Sequence, residues 1–408
     1  MTLIGILLVT PPSVLALVVA FECLVAVIAP APRPPPPPSR RPRVRVLVPA
    51  HDEAGTIGPT VRALLPELGP EDRVVVIADN CSDTTAAEAR EAGADVLERH
   101  DTSRRGKGYA LTFGVDALRS APPEVVVIVD ADCRVAPGAL RMIAEQAVVT
   151  GCPVQARYIL KPPEATPKQN VVGFAVVVKN HVRPLGLKIL GFPAHLGGSG
   201  MAFTWDVLAN ARATEGWIVE DLLLGLELAR KGTPPVYLPE AHVTSALPTG
   251  DQATKKQRTR WEHGWLATIQ REAPRLFADA LRTGRADLFA LALDLAVPPL
   301  AMLVLLQLAT VAVAAVFALL GAPAPLQLAS GAFGWLGLGI FVAWAAFGRD
   351  VVRLSDLLSI PAYVLGKVPV YASYLTGKKS TTWERTDRDA AGQRLLDAQQ
   401  KDEPPREP

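Results

Sequence analysis

Asp130 and Asp132 follow an apolar run, 125–129, that reads as a buried strand. In extended chain, residues i and i+2 point the same way, so the two carboxylates can share one divalent cation, which can hold a diphosphate in turn. In open α/β sheets ligands gather at the carboxyl ends of the strands. Two other readings compete. Asp is common as punctuation after strands and at helix caps, but the next helix begins near Pro137, too far on for either residue to cap it. A phosphatase with Asp130 as nucleophile would carry the motif after its first strand with a Thr soon after. Here the strand is the fourth, and Cys133 and Arg134 come next.

Glu220 and Asp221 open a helix. First-turn acids compensate the helix dipole, worth about 0.3–1 kcal/mol, yet a carboxylate so placed can also be a general base. A neighbouring acid and partial burial would raise its pKa toward a useful range. Gln257, Arg260 and Trp261 share a helical face at i, i+3 and i+4. Arginine can hold a phosphate oxygen and an indole can stack on a sugar. The same residues would equally suit an interfacial helix anchored by Trp and Arg. Lys107 begins a helix, where the dipole repels a cation, so anion binding competes with a solvated loop charge. His51, His195 and His242 are isolated; His242, after a strand near the acidic helix, is the one further candidate metal ligand.

The elements that must position these residues alternate. Strands are expected at 44–48, 73–78, 95–98 and 125–129, with helices at 56–68, 84–92, 107–119 and 137–148. That pattern predicts an α/β fold with a mostly parallel sheet and helices on both faces. No G-x-G-x-x-G follows the first strand, which argues against a dinucleotide-binding unit. Beyond 150 come strands 154–160, 201–205 and 235–238, helices 168–181 and 220–231, a glycine-rich loop at 197–200 and a basic amphipathic helix over 251–272.

The chain has 408 residues, 49% of them hydrophobic, and a mean hydropathy of +0.22. Membrane segments are therefore expected. Residues 1–30 read as an uncleaved anchor: no Lys or Arg precedes the apolar run, which exceeds a signal-peptide core. A proline-rich linker, 31–42, follows. Two more spans occupy 299–348, while 288–297 and 354–376 are apolar but of undecided placement. Arg33, Arg40, Arg41, Arg43 and Arg45 after the first span, and Arg349 and Arg353 after the last, place the middle of the chain in the cytoplasm, on a plasma (inner) membrane, multi-pass. The divisions expected are a catalytic domain at 43–250, interfacial helices at 251–298, an interfacial or re-entrant segment at 349–385 and a disordered tail at 386–408. A net charge of +2 gives no reason to expect nucleic acid. Cys23, Cys81, Cys133 and Cys152 form no C-x-x-C pair and suggest a reducing compartment.

Taken in order, Pro49 to Glu53, Asp79-Asn80, Gly106-Lys107-Gly108, Asp130 to Asp132, Glu220-Asp221 and Gln257 to Trp261 resemble family 2 glycosyltransferases of the GT-A fold. The resemblance is narrower to the membrane-embedded synthases related to cellulose, hyaluronan, chitin and poly-N-acetylglucosamine synthases. Residues 383–386 are similar to a tail motif of bacterial exopolysaccharide synthases. The resemblance implies that Pro49, His51, Asp52, Glu53 and Asp79 meet the nucleoside of a UDP-sugar and that Lys107 lies near the nucleotide. It implies that Asp130 and Asp132 bind nucleotide and Mg2+ or Mn2+, that Asp221, beside Glu220, is the base, and that Gln257, Arg260 and Trp261 face diphosphate and acceptor. In-line displacement would invert the anomeric carbon. Val219 stands where the family has Thr, and three spans are few for a polymer channel. The partners expected are a nucleotide-sugar donor, a glycan or lipid acceptor and the bilayer, with a homo-oligomer left open. A non-catalytic scaffold with the same fold is the alternative from another class.

Overall fold

The computed structural model describes residues 1–162, 166–211, 220–247 and 251–376, and of 251–258 the backbone alone. Along the chain, helix α1 (Thr2–Ile28) precedes β1 (Val44–Ala50), α2 (Ile57–Leu64), β2 (Arg73–Asp79), α3 (Thr85–Glu91) and β3 (Asp95–Arg99). Next are α4 (Lys107–Leu118), β4 (Val125–Ile128), β5 (Cys133–Val135), α5 (Ala139–Thr150), β6 (Val154–Lys161), α6 (Pro167–Val177) and α7 (Arg183–Ile189). Then follow β7 (Met201–Thr204), α8 (Trp205–Ala209), α9 (Glu220–Arg230), β8 (Val236–Ala246), α10 (Asp251–Thr283) and α11 (Ala286–Ala296). The chain continues through α12 (Leu300–Leu319), α13 (Ala324–Phe347), α14 (Ile360–Leu365) and α15 (Val368–Leu375).

Two compact units result. The first holds Arg33–Glu164 and Ala194–Trp261 and contains one eight-stranded sheet of order β3-β2-β1-β4-β7-β6-β8-β5. Strands β3, β2, β1 and β4 run parallel. Their near-continuous Val, Ile and Leu runs suit strands buried on both faces. Val46, Val48, Val74, Val76 and Val127 pack under α2, α3 and α5. Leu47, Val75, Ile77, Val126 and Ile128, one residue out of phase, pack under α4, α8 and α9. That two-residue period divides the core between the two faces.

Beyond β4 the sheet turns mixed: β7 lies antiparallel to β4 and to β6, β8 parallel to β6, and β5 antiparallel to β8. Strand β8 outruns the expected 235–238 because Pro239 and the polar His242, Thr244 and Ser245 hide its continuation, past a register shift between Ala156 and Arg157. The three residues of β5 are too few to show a period. Four of the arginines that set the expected orientation are engaged within this unit. Arg40 pairs with Glu124, Arg41 with Asp72, and Arg43 and Arg45 donate to the carbonyls of Pro122 and Glu71.

The second unit holds Met1–Pro32, Ala165–Pro193 and Glu262–Ser380. Among the described residues α1, α12 and α13 are long and apolar enough to cross a membrane. Helix α11 has 11 residues, short of a span, and residues 354–375 form three short helices, so neither undecided segment crosses as one helix. Arg183 of α7 ties this unit together, bonding Glu22 of α1 at 2.6 Å and Asp294 of α11. Buried charges persist when paired and hydrogen-bonded in this way.

Gly339 lets α13 lie against α1, since a Cβ there would meet the Cα of Ala20 at 2.7 Å. Small residues permit such close helix approach. Gly339→Val should therefore overpack the contact and cost about 1–3 kcal/mol, read as a lower melting temperature of the detergent-solubilised protein; an unchanged melt would refute the contact.

Candidate active site

Parallel strands β1, β2 and β4 end at one edge of the sheet, and the loops 51–56, 80–84 and 129–132 leave from it. The connections from β1 and β4 diverge there, at the crevice where ligands of open α/β sheets bind. Asp130 and Asp132 do converge, but by a turn and not by strand alternation. The Cys133 N–H donates to the Asp130 carbonyl at 3.1 Å, closing residues 130–133 into that turn. The extended geometry expected from the sequence is corrected accordingly: β4 stops at Ile128, and β5 must start at Cys133 in another direction.

Several neighbours brace the turn. Thr60 donates its hydroxyl to the Ala131 carbonyl at 2.6 Å and accepts from Arg134 at 2.9 Å. Ser245 donates to Asp132 at 2.6 Å, and the Asp130 N–H donates to the Ser199 hydroxyl at 3.0 Å. Gln155 holds the glycine-rich loop, with its amide N–H donating to the Ser199 carbonyl and its oxygen accepting from the Gly197 N–H. Gln155 and Ser245 carried no sequence signal, and Ser199 showed only as part of the glycine-rich loop; pairing through β6, β7 and β8 brings them here.

Lys107, the first residue of α4, has its ammonium 2.5 Å from Asp130 and 2.5 Å from the Gly198 carbonyl. A Cβ added at Gly198 would lie 3.3 Å from the Asp221 carboxylate and 3.8 Å from the Lys107 nitrogen. Gly198 also has φ +93°, which a side chain rarely adopts. Three carboxyl groups, those of Asp130, Glu220 and Asp221, thus collect around the Lys107 ammonium. Burial works against the Lys107 charge, but Asp130, Glu220 and Asp221 outweigh it and raise its pKa. Glu220 is buried, and that burial, helped by Asp221 against the pull of Lys107, pushes its pKa up to about 8. Asp221 stays half-buried beside it. Burial thus distinguishes the two: the Glu220 proton is held more tightly than in a free carboxyl, and Asp221 is the more exposed acid.

Asp130, Asp132 and Cys133 offer ligand atoms within 4.8 Å of one another. Burial pushes the Cys133 thiol well up, which makes the two carboxylates the better candidate donors. Hard oxygen donors suit Mg2+ or Mn2+. His242 takes no place in this group. It alternates with Ser245 on β8, so the residue that bonds Asp132 and the histidine face opposite sides of the strand.

The other end of the crevice lies at β1 and β2. Asp79 is buried and bonds Arg99 at 2.5 Å; burial nonetheless raises its pKa, against the pull of Arg99. The His51 ring nitrogen meets the Asp79 carbonyl at 2.6 Å, Asp52 accepts from the Ser82 N–H at 2.6 Å, and the Glu53 N–H donates to Thr85 at 2.7 Å. Pro49 is half-buried in β1. Asp52 and Asn80 both adopt φ +52°. Arg260 and Trp261 are half-buried in α10; the side chain of Gln257 and all of Val219 and 383–386 lie outside the described residues.

A mostly parallel α/β sheet with acidic loops at its switch point defines a protein of the GT-A type. The family described as glycosyltransferase like family 2 matches residues 42–264, and the chain belongs to it. A mannosyltransferase, PcManGT, from Pyrobaculum calidifontis, solved in complex with GDP-Man and Mn2+, is 21% identical over 93% of this chain and 99% of its own, with a TM-score of 0.53. That likeness is one of fold. Glucosyl-3-phosphoglycerate synthase from Mycobacterium tuberculosis, in complex with Mn2+, UDP and phosphoglyceric acid, is 20% identical over 55% of this chain and 78% of its own. Its TM-score is 0.38.

The raised pKa of Glu220 has a consequence for stability. Between its ordinary value of 4.5 and about 8 the folded protein holds a proton that the unfolded chain has released. Stability from this group is full below the lower value and declines as pH rises toward the upper one. Glu220→Gln should flatten that decline in melting temperatures taken from pH 5 to 8; a slope equal to wild type would place the buried proton elsewhere.

Proposed function

We propose that this protein is a membrane-anchored, inverting glycosyltransferase that moves a hexose from a nucleoside-diphospho-sugar to a hydroxyl of a glycan or a lipid. The single observation that carries this reading is the Asp221 carboxylate against Gly198, in one cluster with Lys107 and Asp130. A candidate base and a candidate diphosphate site are then neighbours. Asp221 takes the proton of the attacking hydroxyl, and Glu220, buried, is the less accessible of the two acids. Lys107 faces the negative charge of the departing diphosphate. Asp130 and Asp132 would hold Mg2+ or Mn2+, which when bound supplies charge stabilisation at the same oxygens. His51, Asp52, Glu53 and Asp79 border the nucleoside, and Arg260 with Trp261 face diphosphate and acceptor.

Residues 43–250 would form the catalytic domain and 251–298 its interfacial helices. The three apolar helices support a multi-pass membrane protein, and the arginine-rich flanks support a cytoplasmic catalytic domain in the inner membrane. The family resemblance favours a UDP-linked donor. The fold-level likeness to a protein holding GDP-Man argues for testing GDP-sugars beside it. A scaffold without catalysis is less favoured, since it needs neither an accessible carboxyl beside a buried one nor a lysine held among carboxylates.

Asp221→Asn should lower sugar transfer in purified membranes by about 10²–10⁴-fold while donor binding stays within a few-fold; wild-type turnover would sink the assignment. Asp132→Ala should abolish metal-dependent nucleotide binding in calorimetry, and an unchanged affinity would remove the metal from this pair.

A further inference from the structure

Gln155 is a polar residue in the interior of the sheet. Its strand β6 pairs at that point with β7 through Met201 and with β8 through Tyr237, and the residue is 5% exposed. Burying an amide is costly unless its polar atoms are bonded. Here both the oxygen and the nitrogen are. The oxygen accepts from the Gly197 N–H at 2.7 Å, and the nitrogen donates to the carbonyls of Ser199 at 2.9 Å and Ala156 at 2.8 Å. Such a grip needs a donor and an acceptor at one end of a long side chain, which an amide supplies.

The grip closes on Gly197 and Ser199 and so holds Gly198 from both sides. The Gly198 carbonyl accepts from the Lys107 ammonium at 2.5 Å, and that ammonium stands 2.5 Å from Asp130. The Ser199 hydroxyl accepts from the Asp130 N–H at 3.0 Å. The loop thus reaches Asp130 by two routes, and both leave from the stretch of backbone that Gln155 grips. Gly197, Gly198 and Gly200 give that loop a backbone with wide conformational freedom. Without the grip, the Gly197 N–H and the Ser199 carbonyl would turn to other partners, since a buried group left unbonded is costly. The Gly198 carbonyl would turn with them.

We infer that Gln155 is a positioning residue: by fixing the Gly198 carbonyl, it sets where the Lys107 ammonium stands to meet a diphosphate. The inference rests on the glycosyltransferase reading, and it adds a residue that acts through Lys107 and not on the reacting atoms. Its place in the sheet suits that role. Strand β6 lies between two paired strands, so the base of the side chain is fixed while the loop at its tip is not. A residue kept for packing alone would make contacts indifferent to Lys107. Its loss would lower stability and leave the lysine's share of the chemistry as it was.

The test is a double-mutant cycle of Gln155→Met and Lys107→Met, with the full chain in nanodiscs and a panel of UDP- and GDP-sugars. Gln155→Met should lower kcat/KM for a turned-over donor by about 10–100-fold. In the Lys107→Met background the same change should cost no more than about a further twofold, because the residue through which it acts is gone. Equal losses in the two backgrounds would show a role in the fold alone and overturn the inference, as would wild-type kcat/KM in Gln155→Met. Should Gln155→Met melt early, Gln155→Glu takes its place in the cycle; it keeps the length and the acceptor but loses both donors. Absence of nucleotide release from every sugar in wild type would instead defeat the transferase reading. The cycle is then read on the affinity for UDP and GDP by calorimetry. A loss with Lys107 present that vanishes in Lys107→Met supports the inference, whereas equal losses, or no binding of either nucleotide, overturn it.

Discussion

The ammonium of Lys107 is the contact on which the site depends. It stands between the Asp130 carboxylate and the Gly198 carbonyl, so it joins the loop after β4 to the loop before β7. Without a cation there, Asp130, Glu220 and Asp221 would face one another across a poorly solvated gap, and repulsion would force protons onto them or push the loops apart. The helix dipole disfavours a lysine at the first position of α4. The ring of carboxylates more than offsets that, which explains a residue choice that local helix rules would reject.

The rest of the first unit keeps those loops in register with that cation. Gln155 pins the 197–200 loop from β6, Ser245 pins Asp132 from β8, and Thr60 with Arg134 pins the turn from α2. Each of these partners is buried, where a hydrogen bond left unmade costs about 1–3 kcal/mol. The loops are therefore positioned by polar side chains drawn from the sheet and the flanking helix, while the apolar cores on the two sheet faces set only where the strands end.

Much of this was legible in the sequence. The strands at 44–48, 73–78, 95–98 and 125–129 announced themselves as near-continuous apolar runs. The acidic residues at their ends, with Glu220-Asp221 at a helix start, marked the edge that matters. What stayed hidden was hidden for physical reasons. β5 is only three residues long, so it has no period to read. β8 continues through proline, histidine and serine because its pairing with β6, not its composition, makes it a strand. The single candidacy of His242 failed on the same point, since strand alternation cannot be counted until the strand is known. Residue type and position did not separate Glu220 from Asp221; only the family resemblance singled out Asp221, and the difference in burial between them is a property of the folded neighbourhood.

Asp52 and Asn80 share one backbone conformation, φ +52°, at equivalent steps past β1 and β2, whose register pairs Ala50 with Ala78. The left-handed region is comfortable for Gly, Asn and Asp and costly for branched side chains. Two adjacent strands thus leave the sheet by the same kind of corner, and each corner accepts an alphabet of about three residues. Drift in this part of the chain is therefore bounded by geometry before chemistry has any say. A homologue could abandon the donor, the acceptor or catalysis itself and still be expected to keep a small polar residue or a glycine at both corners.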